Sequence, residues 1–426
     1  MDSGLQIGVE KYLFGRDVPS NGIIANIYAL DPDKHANSKR DVVIPIGFSG
    51  LLQRVDLEPG NYLVEAILPS GNILTQEAEV IDGEWPKVLL EAEDSAHEWH
   101  SWQNLMGNVQ SKSGYEASTK DDDIPNYDVV LIKMPSFNPR GAPRKASSEW
   151  WRWRWPYRYP FLSSTRTAWD RVEAWDRVEA SDDDGGSQLH SFVMDYKGDL
   201  TRRVPRWWVL VSTDKADRLL VAPTPWFSFD PEHPDREPDE IASELLITKS
   251  PDRSIQTSWV IQDLKLGTLL GYLARGAFKD AFKVGSRDSA LQMLFGKYEN
   301  PLGAAAGGYV LIGNMNEDPE KVYWHPWIEN LRRDFEWLPD GAIQSAWLRL
   351  KQGSLEANRD QVKKDLFQAF DRGIPYYSLG LQWLADGLTL LAVDDEEAAN
   401  RLKMVQRVSF SADVSSLFTA LNLRPY

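Results

Sequence analysis

The 426 residues contain no cysteine. That excludes disulfides, thiolate metal sites and cysteine nucleophiles from this chain. Histidine is scarce too, at six residues, and His190, His233 and His325 are scattered in the manner of loop or interface residues. No uninterrupted apolar run approaches the roughly 20 residues that a membrane-spanning helix needs. The opening residues, MDSGLQIGVEKYLFG, lack a basic start followed by an apolar core, so no signal peptide is read and a cytoplasmic location is expected. Absent as well are the GxSxG elbow, the Walker loop, HExxH and the kinase signatures. No cofactor is implied.

What is present is size, negative charge and tryptophan. A chain of this length predicts two or three domains. Its net charge of −16 argues against broad binding of nucleic acid or anionic membrane. Eighteen tryptophans and 42% hydrophobic residues point to large aromatic cores or recognition surfaces, since each ring buries on the order of 150–250 Å².

Residues 1–93 read as a β-sandwich-like domain. Strands are expected over 23–30, 41–46, 62–68, 73–80 and 88–90, with turn signals every eight to twelve residues or so. The Leu57-Glu58-Pro59-Gly60-Asn61-Tyr62 turn resembles that of prealbumin-like and carbohydrate-module sandwiches, and a generic β turn is the competing reading. Next, His97 and His100 with Asp94 and Glu98 are candidate zinc ligands. The alternative is a staple in which Trp99 and Trp102 pin the sandwich to the next module.

Residues 94–262 read as a second β module, with strands over 127–134, 206–213, 218–222, 242–248 and 255–261. It carries a long insertion at 138–191. Between residues 138 and 160 six basic residues stand against one acid. Trp150, Trp151, Arg152, Trp153, Arg154, Trp155, Tyr157 and Arg158 interleave there, as the candidate partner-binding residues. Three readings of them stay open: stacking on the protein's own acidic surface, docking of a protein partner, for which Trp, Tyr and Arg are the usual hot spots, and nucleic-acid or membrane-interface contact. A duplication comes next, Ala168-Trp169-Asp170-Arg171-Val172-Glu173 repeated at 174–179, which predicts a short charged helix. Asp182-Asp183-Asp184-Gly185-Gly186-Ser187 predicts an acidic tether.

Residues 263–426 read as helical. Asp263 is the expected N-cap of the first helix, and Leu266, Leu269, Leu270 and Leu273 mark its apolar face. Residues 300–314, NPLGAAAGGYVLIGN, have Pro at the first helical position and Gly at the end. No Gly-Lys-Ser/Thr comes after them, so a small-residue core helix is expected rather than a phosphate loop. Further helices are expected over 286–298, 326–337, 342–352, 355–372, 376–392 and 395–408. Asp394 and Asp395 suit the start of the last one. The expected fold class is α+β: N-terminal antiparallel β-sandwich-like modules, then a C-terminal all-α helical bundle or superhelix.

The stretches at 263–273, 300–312 and 97–103 resemble a group of bacterial proteins associated with caspase-like (CHAT-type) proteases. That group includes the protein substrate of the type III CRISPR RNA-guided caspase. The matching stretches carry no catalytic residues and no scissile bond. The resemblance implies a non-enzymatic regulatory or binding protein, a partner or substrate of such a protease or its complex in a bacterial defence or stress pathway. Two rivals stay open, a hydrolase with a cleft between the β and helical parts and a latent membrane or nucleic-acid effector using the Trp/Arg-rich segment.

Overall fold

The computed structural model describes residues 3–10, 22–30, 36–45, 52–68, 71–91, 127–134, 176–178, 182–183, 187–193, 200–201, 206–213, 217–227, 240–241, 243–249, 255–261, 266–315 and 323–423. Seven strands make the first unit: β1 (Gly4–Glu10), β2 (Gly22–Leu30), β3 (Ala36–Pro45), β4 (Gln53–Asp56), β5 (Gly60–Ile67), β6 (Ile73–Val80) and β7 (Lys87–Glu91). They form two sheets, β3-β2-β5-β6 and β4-β1-β7. Alternate residues turn inward, as the two-residue period of a strand requires. Leu5 and Ile7 meet Ile23, Ala25 and Ile27, with Val64 and Ala66 opposite.

The expected antiparallel sandwich needs one correction, because β1 and β7 run parallel. β1 and β4 also go beyond the strands expected. The short Gln53–Asp56 offers too few alternations to register as a strand.

Ten more strands are described after the first unit: β8 (Tyr127–Met134), β9 (Asp176–Val178), β10 (Asp182–Asp183), β11 (Ser187–Val193), β12 (Arg206–Thr213), β13 (Asp217–Val221), β14 (Trp226–Phe227), β15 (Glu240–Ile241), β16 (Ser243–Lys249) and β17 (Ile255–Ile261). The last described strand is β18 (Ala420–Leu423). One sheet runs β18-β13-β12-β8, and another joins β9 and β10 to β11, β16 and β17. β12 is central in its sheet and buried from Arg206 to Val211, which explains its unbroken apolar run.

Two expectations in the insertion are overturned. Asp176–Val178, in the second copy of the duplication, pairs antiparallel with β11 instead of forming a helix. Asp182 and Asp183 pair with Gln188 and Ser187 instead of forming a tether. Backbone pairing overrides local charge spacing at both places.

Eight helices are described between the last two strands: α1 (Gly267–Ala274), α2 (Phe278–Phe295), α3 (Pro301–Gly313), α4 (His325–Asp334), α5 (Pro339–Gln352), α6 (Leu355–Arg372), α7 (Ser378–Leu391) and α8 (Glu396–Ser409). α6 matches its expected bounds. Ser354 caps its first turn through Ala357 N–H at 3.2 Å, and Gly373, at φ +103°, ends it where a side chain would be strained. Asp263 lies outside the described residues, and α1 starts with no side-chain cap. The all-α expectation is corrected at the C-terminus. β18 rejoins the β12–β13 sheet, so a single apolar core runs from Leu200 to Leu423 through strands and helices alike.

α3 is buried from Pro301 to Ile312, and α1, α2, α4 and α5 pack around it. Asn300 caps it, its Oδ1 accepting from Gly303 N–H at 2.7 Å. The glycines set the helix spacing. A Cβ on Gly307 would stand 2.5 Å from the Ala290 carbonyl oxygen of α2, and one on Gly308 would stand 2.9 Å from Gln344 Cδ of α5.

The sandwich rests on the helices through Tyr272 of α1. Its hydroxyl donates to the Ile67 carbonyl at 2.9 Å and accepts from Ile24 N–H at 3.2 Å. Lys283 of α2 forms an ion pair with Asp41 of β3 beside it.

Replacing Gly307 by Leu is expected to lower stability by about 1–3 kcal/mol, the typical cost of overpacking a filled core. Backbone lies on the far side, so no rotamer change relieves the clash. Urea denaturation of the variant against the wild type measures it.

Candidate functional site

The candidate partner-binding residues Trp150, Trp151, Arg152, Trp153, Arg154, Trp155, Tyr157 and Arg158 lie outside the described residues, as do the candidate metal ligands His97 and His100. Among the described residues no group of three or more His, Asp or Glu side chains is placed to hold a metal ion. His325, at the start of α4, is 3.8 Å from Glu329 and 3.3 Å from the Gln352 amide. That is an interface role.

Asp340 is fully enclosed in the first turn of α5. Its carboxylate accepts from Tyr309 Oη of α3 at 2.8 Å. It also accepts from the backbone N–H groups of Tyr376 and Tyr377, at 2.9 and 3.3 Å, directly before α7. Two helix N-termini thus meet one anion, which their dipoles favour. A Cβ on Gly380 would fall 2.7 Å from Asp340 Oδ1, so only glycine lets α7 come this close. Arg206 of β12 is buried nearby, its guanidinium 4.3 Å from the Tyr376 ring centre and 5.4 Å from that of Trp208. Burial pushes the Asp340 carboxyl above its ordinary range against the pull of these donors and of Arg206. Burial likewise lowers the Arg206 guanidinium, against Tyr376 and Asp340.

A second cluster ties α4, α5 and α6. Asp365, fully buried, lies 2.8 Å from Ser345 Oγ, 2.8 Å from Gln361 Nε2 and 3.3 Å from Arg349 Nε. Glu329 pairs with Arg332 at 3.0 Å and also with Arg349. Burial pushes the Glu329 carboxyl up, but Ser345 and the two arginines hold it below the usual range. Arg372 is buried and donates to the Leu338 and Arg332 carbonyls at 2.9 and 2.7 Å; burial brings it down to about 10. These acids and cations are occupied in joining helices.

Among the described residues there is a surface groove of about 540 Å³ between the end of α1, the first half of α7 and residues 409–415. Leu273, Leu379, Ala385, Ala412 and Val414 supply its apolar lining, and Arg275 is its one charged residue among those described. Val414 of that lining is 79% exposed, and Phe410, the residue after the lining residue Ser409, is 89% exposed.

The groove's outer wall is tied to the interior. Ser378 N–H donates to the Leu417 carbonyl at 3.1 Å, and Thr419 N–H to the Tyr376 carbonyl at 2.8 Å. Asn422 N–H donates to the Ser411 carbonyl, and Asp413 N–H to the Ala420 carbonyl. The Asp413 carboxylate accepts from Ser415 Oγ at 2.6 Å and pairs with Arg218 of β13. Burial pushes that carboxyl up, yet Ser415 and Arg218 outweigh it and hold it below the ordinary value of 3.8.

Fold and site together define an α+β protein whose helical body carries a surface groove. Residues 268–423 match the family described as the Y4kD C-terminal domain. The match starts one residue into α1, ends on β18 and contains the whole groove lining. No curated protein matches the chain, and no solved structure does.

Nothing in the sequence pointed to the groove. Phe410 and Val414 lie just past the expected end of α8, in a stretch without periodicity. Exposure of an apolar residue leaves no mark in composition. Asp395 was legible, since it caps α8 as expected by accepting from Ala398 N–H at 3.0 Å. Its neighbour Asp394 instead pairs with Arg359.

Asp340→Ala leaves two backbone N–H groups and the Tyr309 hydroxyl without their buried acceptor. The expected loss is about 3–5 kcal/mol, with a smaller loss for Asp340→Asn, both read from chemical denaturation. For Asp413→Ala the expected cost is about 1–3 kcal/mol at neutral pH. Because the folded Asp413 pKa is depressed, its contribution is full above the unfolded value. It fades as pH falls through the folded one. The gap between wild type and variant is therefore flat near neutrality and closes below about pH 3.8.

Proposed function

We propose that this chain is a non-enzymatic binding protein whose helical half receives a protein partner. The observation that carries the reading is the groove at α1, α7 and 409–415, with Phe410 and Val414 left to solvent beside it. Exposed apolar residues bordering a cleft of several hundred cubic ångströms are the usual mark of a contact surface. The buried acids Asp340 and Asp365 support the reading in a second way. Their lone pairs are engaged by backbone and side-chain donors of neighbouring segments, which is how structural carboxylates are held.

The partner class to test first is a caspase-like protease or its complex, as the resemblance of residues 263–273 and 300–312 implies. In that setting the chain serves as partner or substrate in a bacterial defence or stress-signalling pathway.

The test mixes the purified full chain with the purified products of neighbouring genes, including any caspase-like protease. Size-exclusion chromatography and electrophoresis give the readout. A stoichiometric complex, or a discrete pair of fragments, is expected. The absence of both a complex and cleavage with every one of these proteins would contradict the proposal.

A further inference from the structure

Among the described residues, the apolar core of the sandwich and that of the helical half share no side chain. The family match at 268–423 covers none of the sandwich. Parts joined without a common core move relative to one another unless specific contacts hold them.

One such contact completes a β ladder from outside the sheet. β2 and β5 pair antiparallel from Leu30 and Asn61 to Ala25 and Ala66. One step further the same register sets Ile24 opposite Ile67, where a direct N–H to carbonyl bond would come next. Leu68 N–H donates to the Asn72 carbonyl on the β6 side, so the preceding residue, Ile67, turns its carbonyl toward β2. The rung is made instead by Tyr272 of α1. Its hydroxyl accepts from Ile24 N–H at 3.2 Å and donates to the Ile67 carbonyl at 2.9 Å. Burial pushes the pKa of this phenol up, so it keeps the proton that the donation needs. The ring belongs to the helical core, and the hydroxyl belongs to the sheet.

We infer that Tyr272 is a releasable latch, and that the sandwich leaves the helical body by closing its own Ile24–Ile67 rung. In the docked state the hydroxyl satisfies both backbone groups. In the released state they satisfy each other, and the hydroxyl turns to water. Neither state strands these groups without a partner, so the usual penalty for parting a buried contact is avoided. The neighbouring contacts suit reversible docking. The Lys283–Asp41 ion pair is partly exposed and is therefore weakened by salt. Arg275, three residues after Tyr272, lies where a side chain on Gly71, between β5 and β6, would fall. It also lines the groove. Docking thus holds the α1 end of the groove against the sandwich, and release frees it. The latch concerns the joint between the two parts and stands whether or not the groove takes a protein partner.

The absence of cysteine allows nitroxide labels on the full chain at Gln76→Cys of β6 and Gln406→Cys of α8, both exposed. Double electron–electron resonance reads the distance between them. With no further change, one narrow distance is expected to dominate. Tyr272→Phe keeps the ring and deletes the hydroxyl. It should raise a longer, broader population about tenfold, which two hydrogen bonds of ordinary net worth supply. Salt at about 1 M, or Lys283→Glu, should raise the same population without touching the hydroxyl. Hydrogen exchange then checks the rung, and the Ile24 amide is expected to stay protected in Tyr272→Phe because Ile67 takes it over. A single narrow distance unchanged by Tyr272→Phe, Lys283→Glu and salt would overturn the inference. Rapid exchange at Ile24 in a Tyr272→Phe chain whose helical half keeps its protection would overturn it too, since the strands then fail to close. If Tyr272→Phe does not fold, Lys283→Glu and salt decide by the same two readouts.

Discussion

A single carboxylate, that of Asp340, ties α3, α5 and the start of α7 together. Burying a charge without partners is prohibitively costly, so its donors must stay where they are. They come from Tyr309 on the central helix α3 and from the backbone that opens α7, while Asp340 itself belongs to α5. Gly380 lets α7 approach the oxygen. Arg206 brings the charge of β12 close to the same place. Aromatic rings fill the space around the tie. Tyr309 meets Tyr377 at 5.5 Å between ring centres, Tyr377 meets Phe418 at 5.0 Å, and Phe418 meets Trp226 at 6.2 Å. In this part of the chain the high tryptophan content is core material, with Trp207, Trp208 and Trp226 among the largest fully buried side chains.

The groove inherits its shape from that tie. Asp340 holds the backbone at 376–377, and the same backbone receives Thr419 and leads into the Ser378 bond with Leu417. From there the chain enters β18, whose partner residues 411–413 form the groove's outer wall. A buried interaction in the core thus places Phe410 and Val414 at the surface. The link runs through backbone hydrogen bonds, which leave little freedom to the wall they position.

Much of the fold was legible because its signals are local. The Ser354 cap and Gly373 stop bound α6, and Pro301 with Asn300 opens α3. Alternation in 62–68 marks β5, and the hairpin of β12 and β13 follows from two apolar runs around a polar break. What stayed hidden depends on contacts distant in sequence. β18 is four residues long and gains its identity only by pairing with β13, some two hundred positions earlier. Asp176–Val178 reads as helix by charge spacing and becomes a strand because β11 offers it a ladder. The groove is the extreme case. It is assembled from three separated segments, and its two exposed residues carry no motif. The residue types read as recognition chemistry, Trp150 to Arg158, belong to a different part of the chain.

Hydrogen–deuterium exchange on the full chain, alone and bound to a partner, tests the central claim most directly, because it reports where contact falls without altering a residue. Added protection is expected in residues 273–276, 378–385 and 409–415, with the backbone at 376–377 already slow in the free protein. Protection confined to other surfaces, with 409–415 exchanging as fast in the complex as in the free chain, would contradict it.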